Sequence, residues 1–141
     1  PKFLVWASAD PLGAPLQRIQ IIKGWLENGK HKEKVYDVVC SNGLVVNSFT
    51  HRCPDNGAKV DIEDCSVSKN SGASELKTFW LDPDFLMDQR AFYYVRVLEN
   101  PVCRWSTWDS IREGVEPRSD IPSTIQERAW TSPIWFEPTN S

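Results

Sequence analysis

Apolar and polar residues alternate along most of this chain with the period of two that is typical of β-strands. The clearest case is residues 91–98, where Ala91, Tyr93, Val95 and Val97 face one way. Residues 17–25 and 34–40 carry apolar side chains mainly on one face and predict half-buried strands. Aromatic and β-branched residues predict further strands at 3–8, 75–81, 103–105, 124–130 and 134–136.

Turn-forming residues separate these segments. Glycine, proline, asparagine and aspartate cluster at 10–13, 27–29, 41–43, 55–57 and 82–84. Seven or eight short antiparallel strands with such breaks predict an all-β fold, an immunoglobulin-like β-sandwich. The 141 residues are enough to bury one core, so we expect a single domain over 1–141.

Two local features refine this fold. One short helix is predicted over 107–113, because Ser106 and Asp109 have capping-box spacing and Gly114 can supply a left-handed stop. In immunoglobulin-like sandwiches, a tyrosine of the penultimate strand bonds back to a turn, and Tyr93 or Tyr94 is the candidate here. Simple core packing of these tyrosines is the alternative.

Charge and composition exclude several classes of partner. Hydrophobic residues make up 40% and charged residues 25%, as in folded globular proteins. The net charge is −3 and the basic residues are dispersed, so nucleic acid is not an expected partner. The apolar runs fall far short of the roughly 18 residues of a membrane-spanning helix, so a membrane is not an expected partner either.

Four cysteines lie in the chain, at positions 40, 53, 65 and 103, without a C-x-x-C pair. This spacing argues against structural zinc, and the even count favours disulfides in an oxidising compartment over free buried thiols. Three pairings are open to four cysteines. Their positions beside predicted strands and turns favour Cys40 with Cys53 and Cys65 with Cys103.

Candidate catalytic chemistry is sparse. Neither His31, assigned to a charged turn, nor His51 has a second ligand at metal-site spacing, and no serine or cysteine has the pattern of an activated nucleophile. Asp82, Asp84 and Asp88 are calcium candidates because hard carboxylate oxygens suit that ion, although such residues also form ordinary turns. The same alternatives apply to a second acidic group, at 55, 61, 63 and 64. No catalytic or cofactor-binding residue is assigned.

Seven tryptophans offer a second kind of site. Trp105 with Trp108, or Trp130 with Trp135, could form an exposed platform for stacking on sugar rings. The alternative is that most tryptophans fill the core, as in an ordinary sandwich.

Several blocks of sequence carry a family resemblance. They are DP at 10–11, PLQRIQIIKGW at 15–25, VYDV at 35–38, WLDPDF at 80–85, AFYYVRVLE at 91–99, CRWSTW at 103–108 and TIQERAWTSPIW at 124–135. This ordered set resembles the carboxy-terminal region of the bacterial family called domain of unknown function 3604. The resemblance implies an upstream region similar to the PHP superfamily, with histidine-rich metal clusters that suit phosphoester hydrolysis, and it implies an exported protein. Those clusters do not occur in this sequence, so no catalytic residue is carried over.

The resemblance shapes the functional hypotheses. The chain opens on Pro1 and Lys2 and enters an apolar run at once, which favours a piece of a longer protein. We therefore expect a non-catalytic accessory domain, periplasmic or secreted, without a cofactor of its own. It would pack against the upstream catalytic region of a metal-dependent, phosphoesterase-like hydrolase that uses divalent metals.

The last strand pattern supplies candidate docking residues: Gln126, Glu127, Arg128 and Trp130. A plain solvent face is the alternative for the polar three. A carbohydrate-binding module that uses exposed tryptophans is a second functional hypothesis. A third is a dimer of this piece through an apolar patch or an unpaired edge strand.

Overall fold

Nine strands and one helix form within residues 1–138, the part of the chain that the computed structural model describes. The strands are β1 Lys2–Ser8, β2 Leu16–Glu27, β3 Lys30–Cys40, β4 Glu75–Leu81, β5 Ala91–Glu99, β6 Val102–Cys103, β7 Thr124–Ile125, β8 Arg128–Trp130 and β9 Ile134–Phe136; the helix is α1 Trp105–Glu113. All strand pairs are antiparallel. The predicted all-β sandwich with one short helix is confirmed. No helix within residues 1–138 has the length and apolar character needed to cross a membrane.

Two sheets enclose the core. The large sheet has the strand order β3-β2-β5-β8, and β9 pairs with β5 as well. The small sheet consists of β1 and β4, while β6 and β7 form a separate short pair. Ile19, Ile21 and Tyr93 of the large sheet meet Val5 and Leu76 of the small one. The faces of β5 alternate as its sequence predicts, with Tyr93 buried inside.

The β2–β3 hairpin is longer than its apolar pattern predicts. Asn28 and Gly29 have φ angles of 51° and 73°, the positive values that a two-residue type I′ turn requires. Pairing continues to Glu27 and Lys30 at the turn, so His31 lies in β3 and its assignment to a turn is wrong. The reason is that ladder hydrogen bonds extend the hairpin beyond the apolar face that packs on the core.

Other boundaries differ from the prediction as well. The strand predicted at 103–105 is β6 Val102–Cys103, because Trp105 already belongs to the helix. Residues 124–130 form two strands, because the chain leaves its pairing with β6 after Ile125 and joins β5 at Arg128. The helix begins at Trp105, with Arg104 as a cap that makes no side-chain hydrogen bond, so the predicted capping box is wrong. Gly114 does end the helix, at φ 64°.

Both favoured disulfides are present. Cys40 at the end of β3 bonds Cys53, and Cys65 bonds Cys103 in β6. The segment between β3 and β4, residues 41–74, has no strand or helix among its described residues, and it contains Cys53 and Cys65. The two bonds therefore fasten this long connection to the sandwich at two points.

Candidate functional site

Two of the three carboxylates proposed for calcium, those of Asp82 and Asp84, contact side chains of the sandwich, whereas Asp88 is exposed. Asp82 accepts hydrogen bonds through both oxygens: Oδ1 from the backbone N–H of Asp84, and Oδ2 from Lys23 and Tyr93. Asp84 contacts Lys34 and Tyr36. No group of three or more His, Cys, Asp or Glu side chains that could hold a metal ion occurs within residues 1–138. In the second acidic group, Asp55, Asp61 and Asp64 each accept a backbone N–H two residues on, as turn formers do.

Lys23 is the principal site residue that sequence reasoning missed. Its Nζ lies 2.6 Å from Asp82 Oδ2 and donates to the Asp84 carbonyl at 2.7 Å, with both charged side chains almost fully buried. Tyr93 donates to the same Asp82 oxygen at 2.7 Å, which is the bond from tyrosine to turn that was predicted for Tyr93 or Tyr94. Lys23 shares strand parity with Ile21 and Trp25, so alternation alone places it on the core side.

Proton affinities around this cluster follow from burial and hydrogen bonding. Burial raises the pKa of Tyr36 well above its ordinary value, and its hydrogen bond to Asp84 adds to the shift. The pKa of Tyr93 is raised by burial and by its bond to Asp82. Hydrogen bonds from Lys34 and then Tyr36 lower the pKa of Asp84. Tyr36 therefore stays a neutral donor beside ionised Asp84, and Tyr93 stays a neutral donor to Asp82.

A second buried carboxylate joins the large sheet to a disulfide. Asp37 accepts from Gln20 Nε2 at 2.6 Å and from the backbone N–H of Cys53 at 2.7 Å. Arg96 in turn donates to Gln20 at 2.8 Å. These contacts hold the connection after β3 against the sheet, so the cluster is structural.

Tryptophan placement contradicts the expectation that most of them fill the core. Five of the seven are exposed, and only Trp25 and Trp80 pack against the core cluster. The exposed five are Trp6, Trp105, Trp108, Trp130 and Trp135. They stay on the surface because strand parity or helix position turns them away from the space between the two sheets.

The four candidate docking residues differ in how far their side chains are exposed. Gln126 is half-buried and donates to the Gln17 side chain and to the Glu99 carbonyl. The Glu127 carbonyl accepts the backbone N–H of Glu99. Arg128 and Trp130 are exposed and pair with Leu98 and Arg96 of β5. The Glu127 side chain is exposed as well, so three of the four candidates have side chains on the surface.

A larger apolar surface lies on the small sheet. Its outer face carries four side chains that are 61–66% exposed: Leu4, Trp6, Phe79 and Leu81. Leu4 lies directly opposite Phe79, while Trp6 and Leu81 face lysines across the strands. The ammonium groups of Lys2 and Lys77 lie over the rings of Phe79 and Trp6. The sequence pattern predicted these strands but not that their second face would be apolar and uncovered.

A cleft of about 340 Å³ opens at the hairpin end of the large sheet. Four neighbouring strands line it: β3, β2, β5 and β9. Phe92 and Trp135 lie opposite each other across β5 and β9, with ring centroids 5.2 Å apart. Four charged side chains and a histidine stand around this aromatic pair: Lys32, Glu33, Arg90, Glu137 and His31. Concave shape, apolar walls and a few polar groups are the general features of small-molecule sites.

Comparison with known families gives one match. A family model described as "Protein of unknown function (DUF3604)" matches residues 1–138. The chain belongs to this family. No curated protein and no solved structure matches the chain.

The description of the DUF3604 family assigns no activity, so the exposed surfaces of the domain are the guide to its function. For this DUF3604 chain those are the apolar outer face of the small sheet and the aromatic cleft of the large sheet. The buried ionic clusters hold the sandwich together between them.

One further carboxyl gives a pH-dependent prediction. Burial raises the pKa of Glu99 above its ordinary value of about 4.5, and the carboxylates of Glu127 and Asp10 add to the shift. Ionised Glu99 therefore destabilises the folded state at neutral pH. Below pH 4 the carboxyl group is protonated in the folded and in the unfolded state, so it no longer lowers the free energy of unfolding. We expect Glu99→Gln to raise the unfolding free energy by about 0.5 kcal/mol at pH 7 and by almost nothing at pH 3.

Urea unfolding at the two pH values measures this difference. Glu116→Gln is the matched control, because Glu116 is an exposed glutamate in the connection after the helix. An equal gain from Glu99→Gln at both pH values would show that the carboxylate charge is not responsible.

Proposed function

We propose that this chain is a non-catalytic accessory β-sandwich of a larger, metal-dependent, PHP-type hydrolase-like protein, and that it packs against the catalytic region of that protein. The observation that carries the proposal is the apolar outer face of the small sheet. Its four large side chains are all more than 60% exposed. Contiguous apolar patches of this kind on a folded domain mark interaction surfaces.

The chemistry of this face defines its partner. Side chains of neighbouring strands form one continuous apolar area, because Leu4 faces Phe79 and their diagonal neighbours are Trp6 and Leu81. Lys2 and Lys77 border it and give the rim a positive charge, although Lys77 also pairs with Glu75. An apolar protein surface edged by carboxylates is the complement.

The arrangement of interior charges supports the non-catalytic part of the proposal. Lys23 and Asp82 are paired inside the sandwich, and Asp37 is held by Gln20 and a backbone amide. The charged atoms of these groups are bound by partners within the domain. In the proposed arrangement, metal-dependent hydrolysis takes place in the partner region.

The two disulfides support an extracytoplasmic location, because such bonds form and persist in oxidising compartments and are rare in the cytosol. The proposed protein is therefore periplasmic or secreted, and the two cross-links stabilise the accessory domain there.

The docking face is tested with the double substitution Leu4→Ser/Phe79→Ser. In the full-length protein that contains the catalytic region, we expect the domains to separate, with faster limited proteolysis between them and a thermal transition lowered by about 2–4 °C for each kcal/mol lost. In the 141-residue chain alone, the same change should alter the unfolding free energy by no more than about 0.5 kcal/mol, because both side chains are exposed.

Phe49→Ser is the matched control, since Phe49 is 93% exposed on the connection between β3 and β4. It should leave proteolysis of the full-length protein unchanged. If the double variant behaves like this control, the small sheet does not dock. If the 141-residue chain dimerises in sedimentation and the double variant is monomeric, the face belongs to a second copy. Metal-dependent phosphoesterase turnover by the chain alone would contradict its non-catalytic role.

A further inference from the structure

We propose that the cleft at the hairpin end of the large sheet binds a neutral oligosaccharide. The inference is independent of docking through the small sheet, because none of the residues that line the cleft belongs to β1 or β4. Its aromatic residues Phe92 and Trp135 lie on the large sheet's outer face, which points away from the small sheet. Strand register places Gly24, Phe92 and Trp135 side by side on that outer face.

The floor of the cleft depends on a glycine. A Cβ atom at Gly24 would lie 2.2 Å from Cζ of Phe92, so the absence of a side chain lets the Phe92 ring lie across β2. Phe92 is also nearly parallel to Tyr94, at an interplanar angle of 10°. The result is a flat aromatic surface in place of the ridge that an ordinary side chain at position 24 would make.

Trp135 forms the wall beside this floor. It is 67% exposed although it contacts Phe92, so one side of the indole is free to contact a ligand. Aromatic faces carry partial negative charge, and the axial C–H groups of a pyranose ring carry partial positive charge. A sugar ring can therefore stack on Trp135 while its edge enters the cleft, whose volume lies at the lower end of the range for small-molecule sites.

The polar rim favours a ligand rich in hydroxyl groups and without net charge. Arg90 and Glu137 pair with each other at 3.0 Å and remain largely exposed, so each can still exchange hydrogen bonds with hydroxyls. Lys32 and Glu33 add one charge of each sign, and His31 adds a ring nitrogen. Because the rim charges balance, neither an anionic nor a cationic ligand gains a net attraction.

Aromatic residues continue along the same face, which points to a chain of sugars. Tyr94 follows Phe92 on β5, and Trp130 lies opposite Arg96 on β8 with 58% of its surface exposed. Trp135 pairs with Phe92 and Trp130 pairs with Arg96, so their positions along β5 are four residues apart. That separation is about 13 Å. Two tryptophans at this spacing can contact different units of one oligosaccharide, with Tyr94 between their pairing positions on β5.

Titration calorimetry of the 141-residue chain with cellohexaose, xylohexaose and mannohexaose tests the proposal. We expect at least one of these neutral hexasaccharides to bind, and Trp135→Ala to weaken that binding by about tenfold or more. Trp105→Ala is the matched control, because Trp105 is 70% exposed on the helix and should leave affinity unchanged. Glucose alone should bind more weakly than cellohexaose, which is built from glucose units.

Three results would overturn the proposal: no heat of binding with any of the three hexasaccharides at millimolar concentration, equal affinity for the Trp135 variant, or equal loss in the Trp105 control. The Leu4→Ser/Phe79→Ser variant separates this test from that of the proposed function. It should bind the oligosaccharide as the unaltered chain does, so either proposal can fail while the other stands.

Discussion

Replacing Lys23 with methionine is expected to lower the free energy of unfolding by about 3–5 kcal/mol. Methionine fills much of the same volume but leaves the Asp82 carboxylate buried without its cation. Tyr93 and the Asp84 amide remain as its donors, and neither carries a charge. Denaturant unfolding of the 141-residue chain at pH 7 measures the loss, which is large for a domain of this size.

Lys34→Met is the matched control for Lys23→Met. Lys34 contacts Asp84 on the same side of the sandwich, but these two side chains are 38% and 50% exposed. Solvent screens such a pair, so its loss should cost no more than about 1 kcal/mol. The double variant Lys23→Met/Asp82→Leu should recover part of the stability, because an apolar pair avoids the uncompensated charge. Equal effects of the two lysine substitutions would show that burial of the pair does not matter.

The cluster around Lys23 and Asp82 was predictable from the sequence only in part. Alternation along β2 places Lys23 on the same side as Ile21, so a buried lysine is predictable from parity alone. The partner of Lys23 is not predictable in this way. Asp82 lies in the turn after β4, and the sequence pattern does not show which turn packs over which strand. The aspartates of that turn consequently have two local interpretations, calcium ligand or turn former, and the contact with Lys23 favours the second.

The strands and turns were predictable where a local signal decides them. Residues 75–81 and 134–136 form strands with the predicted limits, and the Asn28-Gly29 turn has the backbone that its residues favour. Prediction failed where the pairing partner decides the structure. Residues 126–127 interrupt a continuous strand pattern because the chain changes from β6 to β5, an event that no local propensity encodes.

The two candidate surfaces illustrate a similar limit. Parity shows that Leu4 and Trp6 share a face of β1, and that Phe92 and Tyr94 share a face of β5. It does not show which faces are covered, because that depends on the packing of two sheets and on the path of the connection at 41–74. The expectation that tryptophans fill the core failed for this reason, since composition sets the number of large rings but not the area available to bury them.

Removing the Cys65–Cys103 bond by the substitutions Cys65→Ser and Cys103→Ser should lower the unfolding free energy by about 4 kcal/mol. The bond spans 38 residues of sequence, and in the loop-entropy model a longer closed loop restricts the unfolded chain more strongly. Cys65 also has a φ angle of 59°, in the left-handed region that non-glycine residues adopt at a cost. The cross-link holds this backbone in place, so the connection should also become more accessible to protease in the variant.

The Cys40–Cys53 bond provides the comparison, because it spans only 13 residues and its loss should cost about 3 kcal/mol. Asp37 continues to bind the backbone of Cys53 after that bond is removed, so residues near it have a second attachment to the sheet. Urea unfolding of the two double-serine variants at equal protein concentration gives the order directly. If loss of the shorter loop is the more damaging, the attachment through Asp37 does not compensate for the lost bond, and the entropic argument for Cys65–Cys103 fails.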